Sequence, residues 1–142
     1  LVFLPTMILE SIASLILAGT LLLRENEQIW TLYNIQYYGT LYGVNLDDAY
    51  QIARCESKLW NMPSDFKTED SFGPFQLQSQ FWIKNAKRFG FHENPEMRYS
   101  IEANVQMALK VASVDGWGAW HNCGTERNLL GKKYNNKLAL GN

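Results

Sequence analysis

Leu1 to Leu23 is almost unbroken apolar sequence, interrupted by Pro5, Glu10 and a few small polar residues, and Arg24-Glu25-Asn26-Glu27 follows it abruptly. A run of this kind must lie in a core or in lipid. As a helix, Met7 to Leu23 would span roughly 26 Å, at the short edge for a membrane crossing, and an earlier start would lengthen it. No A-x-A-like cleavage site precedes the charged residues, which favours an uncleaved signal-anchor over a cleaved signal peptide. Glu10 keeps a buried core helix in play, because a carboxylate in hydrocarbon is costly. The chain of 142 residues is thus read as residues 1–25, a signal-anchor or transmembrane segment, and residues 26–142, one domain.

Along that domain the signals are helical. Ile29, Trp30, Tyr33, Tyr37 and Leu41 recur at helical spacing and predict a core helix ended by Gly43. Asn45 is a good N-cap, and Asp47 and Asp48 suit the first turn of a helix over about Leu46 to Trp60. On its inner side stand Ala49, Ile52 and Ala53. Glu56, seven residues after Ala49, falls on the same face. Desolvation there raises a carboxyl's pKa, and a carboxyl still protonated near neutrality is what a general acid needs. A Glu that caps a neighbouring helix or pairs with a buried Arg is the competing reading.

A polar stretch from Asn61 to Asp70 leads to Ser71-Phe72-Gly73-Pro74-Phe75-Gln76. Its Gly-Pro marks a tight bend. Gly73 permits close backbone approach, by a ligand or by the helix of Glu56, and the Gln76 amide suits an N-acetyl group or a sugar hydroxyl. A helix from Phe81-Trp82 to Phe89 ends at Gly90, and Asn94-Pro95 is a cap with a first-turn proline. Between Ser100 and Val114 the stripe Ile101, Val105, Ala108, Ala112 is helical, with Asn104 one residue off it, at the edge of a cleft. Trp117-Gly118-Ala119-Trp120 follows Asp115-Gly116. A net charge of −1 with no basic run gives nucleic acid no electrostatic support.

Cys-Glu-Ser at 55–57, Ser-Phe-Gly-Pro-Phe-Gln at 71–76, Ile-Glu-Ala-Asn-Val at 101–105 and Gly-Trp-Gly-Ala-Trp at 116–120 together resemble the lysozyme-like superfamily. The resemblance is to its soluble-lytic-transglycosylase (SLT) type and covers roughly residues 47–124. It implies a mainly α domain with at most a very small β element, here preceded by the N-terminal hydrophobic helix. It also implies cleavage of the β-1,4 bond between N-acetylmuramic acid and N-acetylglucosamine in peptidoglycan. Glu56 would be the acid, and Ser71, Gly73, Gln76, Asn104, Trp117 and Trp120 would hold sugar. No metal or cofactor is implied. The partners expected are glycan strands and, through the N-terminal helix, a membrane; the chain is expected to act as a monomer in the cell envelope or as a secreted protein.

The pattern departs from animal lysozymes at Ser71, where those enzymes carry a second carboxylate. A retaining glycosidase wants two carboxyls about 5 Å apart. Transglycosylases of the superfamily work with one essential Glu, so Ser71 favours a transglycosylase giving 1,6-anhydromuramyl ends over a hydrolysing muramidase. Asp65, Glu69 and Asp70 remain carboxylate candidates for the hydrolase, and a non-catalytic glycan-binding module is the third class. Pro74 removes one backbone donor from the Gly-x-x-Gln element. A Cys55–Cys123 disulfide would tie the ends of the catalytic region, worth roughly 4 kcal/mol in the chain-entropy model, and suits an exported protein. A Cys55 thiol activated by His121 is a weaker rival, since reactive thiols favour helix N-termini. A metal site of Cys55, His121 and Cys123 lacks a further ligand and CxxC-type spacing.

Overall fold

The computed structural model describes residues 3–66 and 68–134, and among them the chain is mainly helical, as expected. Helix α1 runs without interruption from Phe3 to Tyr42. At 40 residues it is about 60 Å long. The charged group Arg24–Glu27 therefore ends an apolar run without ending a helix, because Arg and Glu are strong helix formers. The boundary expected at residues 25/26 falls inside this one helix. Among the described residues no helix is long and apolar enough to cross a membrane. Gly43, at φ +69°, turns the chain out of α1.

α1 does not bury the face its apolar spacing predicts. Thr31, Asn34, Ile35, Tyr38 and Tyr42 are buried, whereas Ile29, Trp30, Tyr33, Tyr37 and Leu41 are all exposed. Polar contacts hold the inner face down. The Thr31 hydroxyl donates to the Leu59 carbonyl at 3.0 Å, and the Tyr38 hydroxyl to Glu102 at 2.9 Å.

Helix α2, Leu46–Ser57, starts where expected, with the Asn45 side chain accepting from the Asp48 N–H. It ends three residues early, because Lys58 and Leu59 both take positive φ. Ala49, Ile52 and Ala53 are fully buried. A loop with two isolated bridges, Pro63–Phe72 and Phe72–Leu77, leads to α3, Ser79–Phe89, closed by Gly90 at φ +75°. These bridges are the small β content. A 3-10 turn over Pro95–Tyr99, capped by Asn94, precedes α4, Ile101–Asp115.

α4 is the axis of the core: Val105, Met107, Ala108, Leu109 and Ala112 have no exposed surface. α1 lies along one side of α4, and α3 packs on it as well. The short helix α5, His121–Glu126, closes onto α2. Beyond it, Tyr134 donates to Asp48 at 2.6 Å and accepts from the Trp117 indole at 2.6 Å. The stretch after α5 thus fastens the start of α2. Leu138, in the same tail of the sequence, lies outside the described residues.

Candidate active site

The last turn of α2, the loop 64–78, the start of α3 and the Trp120–Cys123 segment enclose a cleft of about 540 Å³. Glu56, Glu69, Ser71, Gln76, Trp120 and His121 are among its lining. A smaller hollow of about 210 Å³ shares Glu56, Asp65 and Gln76 with it and has Trp60 on its wall. The polar lining fits a hydroxyl-rich ligand rather than an apolar one.

Glu56 follows from the spacing of α2. Ala49, Ile52 and Ala53 pin the helix to the core, which carries the carboxyl of the final turn to the rim of the buried region. Burial pushes its pKa from 4.5 up to about 7, and the nearby Glu69 charge adds to the rise. Ser57, next in the chain, does a job its sequence did not advertise. Its buried hydroxyl bonds the Pro74 carbonyl at 2.8 Å and the Ala53 carbonyl at 3.1 Å. One atom thereby sets the Glu56 turn against the Gly73–Gln76 turn.

Of the expected sugar-holding residues, Ser71 and Gln76 line the cleft. Gln76 sits at φ +50° and spends its amide N–H groups on the Met62 and Gly73 carbonyls, at 2.9 and 3.0 Å. Its amide oxygen is the group left to face a ligand.

Asn104 is a correction. It is fully buried, and its side chain accepts from the Phe75 N–H and donates to the Phe72 and Arg98 carbonyls. It positions the 72–75 turn and does not reach the cleft edge. Gly73 is explained by the same contact. At φ +87°, a Cβ there would come within 2.2 Å of the Asn104 amide nitrogen, so the close approach it permits is by Asn104, neither by ligand nor by α2.

Trp117 is a second correction. It has no exposed surface and stacks on Phe75 at 6.2 Å, so it belongs to the core. Trp120 does border the cleft, with its indole N–H donated to the Phe75 carbonyl at 2.8 Å.

The spacing arguments also missed Arg98. Its buried guanidinium donates to the carbonyls of Leu77, Pro95 and Asp70, clamping the loop from below. Asp70 is occupied in turn. It accepts from the Ser79 N–H and hydroxyl at the start of α3, and these bonds, with Arg98 nearby, hold its pKa below the usual range. That leaves Glu69 and Asp65 as the carboxylates sharing the cleft with Glu56.

Cys55 and Cys123 are joined in a disulfide that links α2 to α5 beside the cleft. With both sulfurs in that bond there is no thiolate for His121 to activate or for a metal to bind. Among the described residues no group of three or more His, Cys, Asp or Glu is placed to hold a metal ion. The cross-link separates its ends by 68 residues. Replacing both cysteines by serine is expected to remove about 4 kcal/mol of stability, read as a lower denaturant midpoint with a steeper slope, because the unfolded chain without its cross-link exposes more surface.

Comparison with family models, with curated proteins and with solved structures finds no match to this chain.

Proposed function

We propose that the cleft cleaves the β-1,4 glycosidic bond between N-acetylmuramic acid and N-acetylglucosamine in peptidoglycan, as a lytic transglycosylase. The observation that carries this reading is Glu56, a half-buried carboxyl raised to about 7, on the wall of a polar cleft. Such a group can give a proton to the leaving glycosidic oxygen near neutral pH. The lysozyme-like resemblance supplies the rest. The substrate's own acetamido oxygen closes on C1 as the bond to oxygen breaks. Glu56, now a carboxylate, takes the proton of the 6-hydroxyl as that oxygen bonds C1 and displaces the acetamido group. A 1,6-anhydro ring results, and no water is consumed.

Glu69 favours a second reading, a hydrolysing muramidase in which this carboxylate, across the same cleft, guides a water. Mass spectrometry of muropeptides released from purified peptidoglycan decides between them. Anhydro ends support the transglycosylase, and reducing ends support the hydrolase. A folded protein that binds glycan and releases nothing is a binding module. In the transglycosylase, Glu69→Gln should move the alkaline limb of the pH–rate profile to lower pH, because the Glu69 charge helps keep Glu56 protonated, whereas in the hydrolase it should abolish cleavage. The shift should be small, since burial is the larger cause.

The place of action we infer is outside the cytoplasm, where the disulfide is at home. The exposed apolar residues of α1 between Ile8 and Leu23 suit association with a membrane.

A further inference from the structure

We propose that Phe66 is the platform on which a sugar ring of the glycan stacks in the cleft, a role that rests on the glycan reading given above. A β-1,4-linked N-acetylhexosamine carries its polar groups around the rim of the ring and C–H groups on its two faces. A site for it needs hydrogen-bonding groups for the rim and a flat apolar surface for a face. The cleft is rich in the first. Ser71, Gln76, His121 and Asn122 line it, and His121 and Asn122 are exposed. The second is scarce. Four large apolar side chains line the cleft, and three are spent on the core. Leu77 is 2% exposed, Trp120 is 5% exposed, and Phe81 is partly buried, packed edge to face on Trp120 at 5.6 Å. Phe66 is 69% exposed.

Five other phenylalanines find ring partners in the fold. Phe72 meets Tyr99, Phe75 lies on Trp117, Phe81 meets Trp120, and Phe89 and Phe91 meet each other. A lone apolar side chain on a surface calls for no explanation. Phe66 calls for one because it stands on the wall of the cleft that holds Glu56. The two tryptophans expected to hold sugar there give their surface to the core instead.

The backbone around Phe66 is fixed. The Phe66 N–H donates to the Ser64 hydroxyl at 3.1 Å, and the Phe66 carbonyl accepts from the Glu69 N–H at 3.1 Å. The Ser64 N–H donates to the Ser71 carbonyl at 2.9 Å. None of these bonds uses the ring, so the loop holds the ring in place and does not depend on it. An aromatic side chain has two torsions, and a ring presented in this way loses little freedom when a ligand lies on it. Asp65 and Glu69, on the same loop, also line the cleft, and their oxygens accept from hydroxyls at the rim of a stacked ring.

The test uses the full chain in non-ionic detergent. Calorimetric titration with the β-1,4 tetramer of N-acetylglucosamine is done in the Glu56→Gln background, so that nothing is cleaved. Phe66→Ala should bind about tenfold more weakly, and Phe66→Trp should restore binding. Ring-current shifts of the sugar C–H protons should appear with the parent and with Phe66→Trp. They should vanish in Phe66→Leu, which is apolar but has no flat face. With Glu56 in place, Phe66→Ala should raise KM on peptidoglycan about tenfold and leave kcat and Tm unchanged. An unchanged KM, tetramer binding within about twofold of the parent, or shifts that survive in Phe66→Leu overturns the stacking role alone, since cleavage by the parent stands independently. A Tm lowered in Phe66→Ala makes the ring a structural prop and overturns it as well. A folded parent that neither binds the tetramer nor cleaves peptidoglycan overturns the glycan reading, and this role with it.

Discussion

Replacing Glu56 with glutamine is expected to lower glycan cleavage by about a thousandfold while making the folded domain more stable above neutral pH. The first effect follows from the role proposed for the carboxyl. A positioned general acid contributes roughly 10²–10⁴ in rate, and glutamine keeps the shape but has no acidic proton. Released muropeptides, measured by mass spectrometry beside the parent protein, should fall to the background of the buffer. Unchanged product would remove Glu56 from the chemistry.

The second effect follows from burial. In the unfolded chain Glu56 titrates near 4.5, and in the fold near 7. Below about 4.5 the group is neutral in both states and costs nothing. As pH rises through 7 the folded state must carry a half-buried charge that the unfolded state carries in water. Stability is therefore present at acid pH and lost as pH rises through the folded value. Glutamine never ionises and escapes that loss. The gain, discounted for the partial exposure of the site, is on the order of 1–2 kcal/mol. Thermal melts of the two proteins should coincide near pH 4 and separate by several degrees at pH 8. Coincident melts at both pH values would mean that the carboxyl is better solvated than its position implies. The same ionisation should make activity of the parent fall as pH rises through about 7.

The helices were readable because their ends carry local chemistry. Asn45, Asn94 and Ser100 each accept from a first-turn N–H, and Gly43 and Gly90 take the left-handed conformation that stops α1 and α3. Glu56 was readable for a similar reason: three small or branched apolar residues on α2 fix which way the seventh position points. The face of α1 was not. Its strongest apolar stripe points outward and a stripe with Thr31 and Asn34 points in. Periodicity finds an apolar face but cannot tell whether the core or a partner covers it. Asn104 and Arg98 escaped for another reason. Both are polar side chains whose partners are backbone groups far away in sequence, in a turn whose path only the folded chain defines. Ser57 belongs to the Cys-Glu-Ser motif, yet its partner, the Pro74 carbonyl, is defined only where the fold brings the two segments side by side.

Asn104→Ala separates a sugar-binding residue from one that builds the site, and a large loss of stability is the expected result. The side chain has no exposed surface and serves three backbone groups: the Phe75 N–H at 3.0 Å, the Phe72 carbonyl at 2.8 Å and the Arg98 carbonyl at 2.9 Å. Alanine leaves the Phe75 N–H and the Arg98 carbonyl without that partner, at roughly 1–3 kcal/mol each, while the Phe72 carbonyl keeps the Leu77 N–H, and the costs overlap because the turn can relax. A net loss of about 3–4 kcal/mol follows, which for a domain of this size lowers Tm by ten degrees or more. Relaxation would also move the turn that carries Gln76, which Ser57 ties to the Glu56 helix, so activity measured well below Tm should fall through kcat as well as KM. A residue that touched only substrate would behave differently: Tm would stay where it is and KM alone would rise. Gly73→Ala should resemble Asn104→Ala, because the added methyl meets the Asn104 amide from the other side. A stable Asn104→Ala protein with a raised KM would put this side chain back in the cleft and require the 72–75 turn to be held by something else.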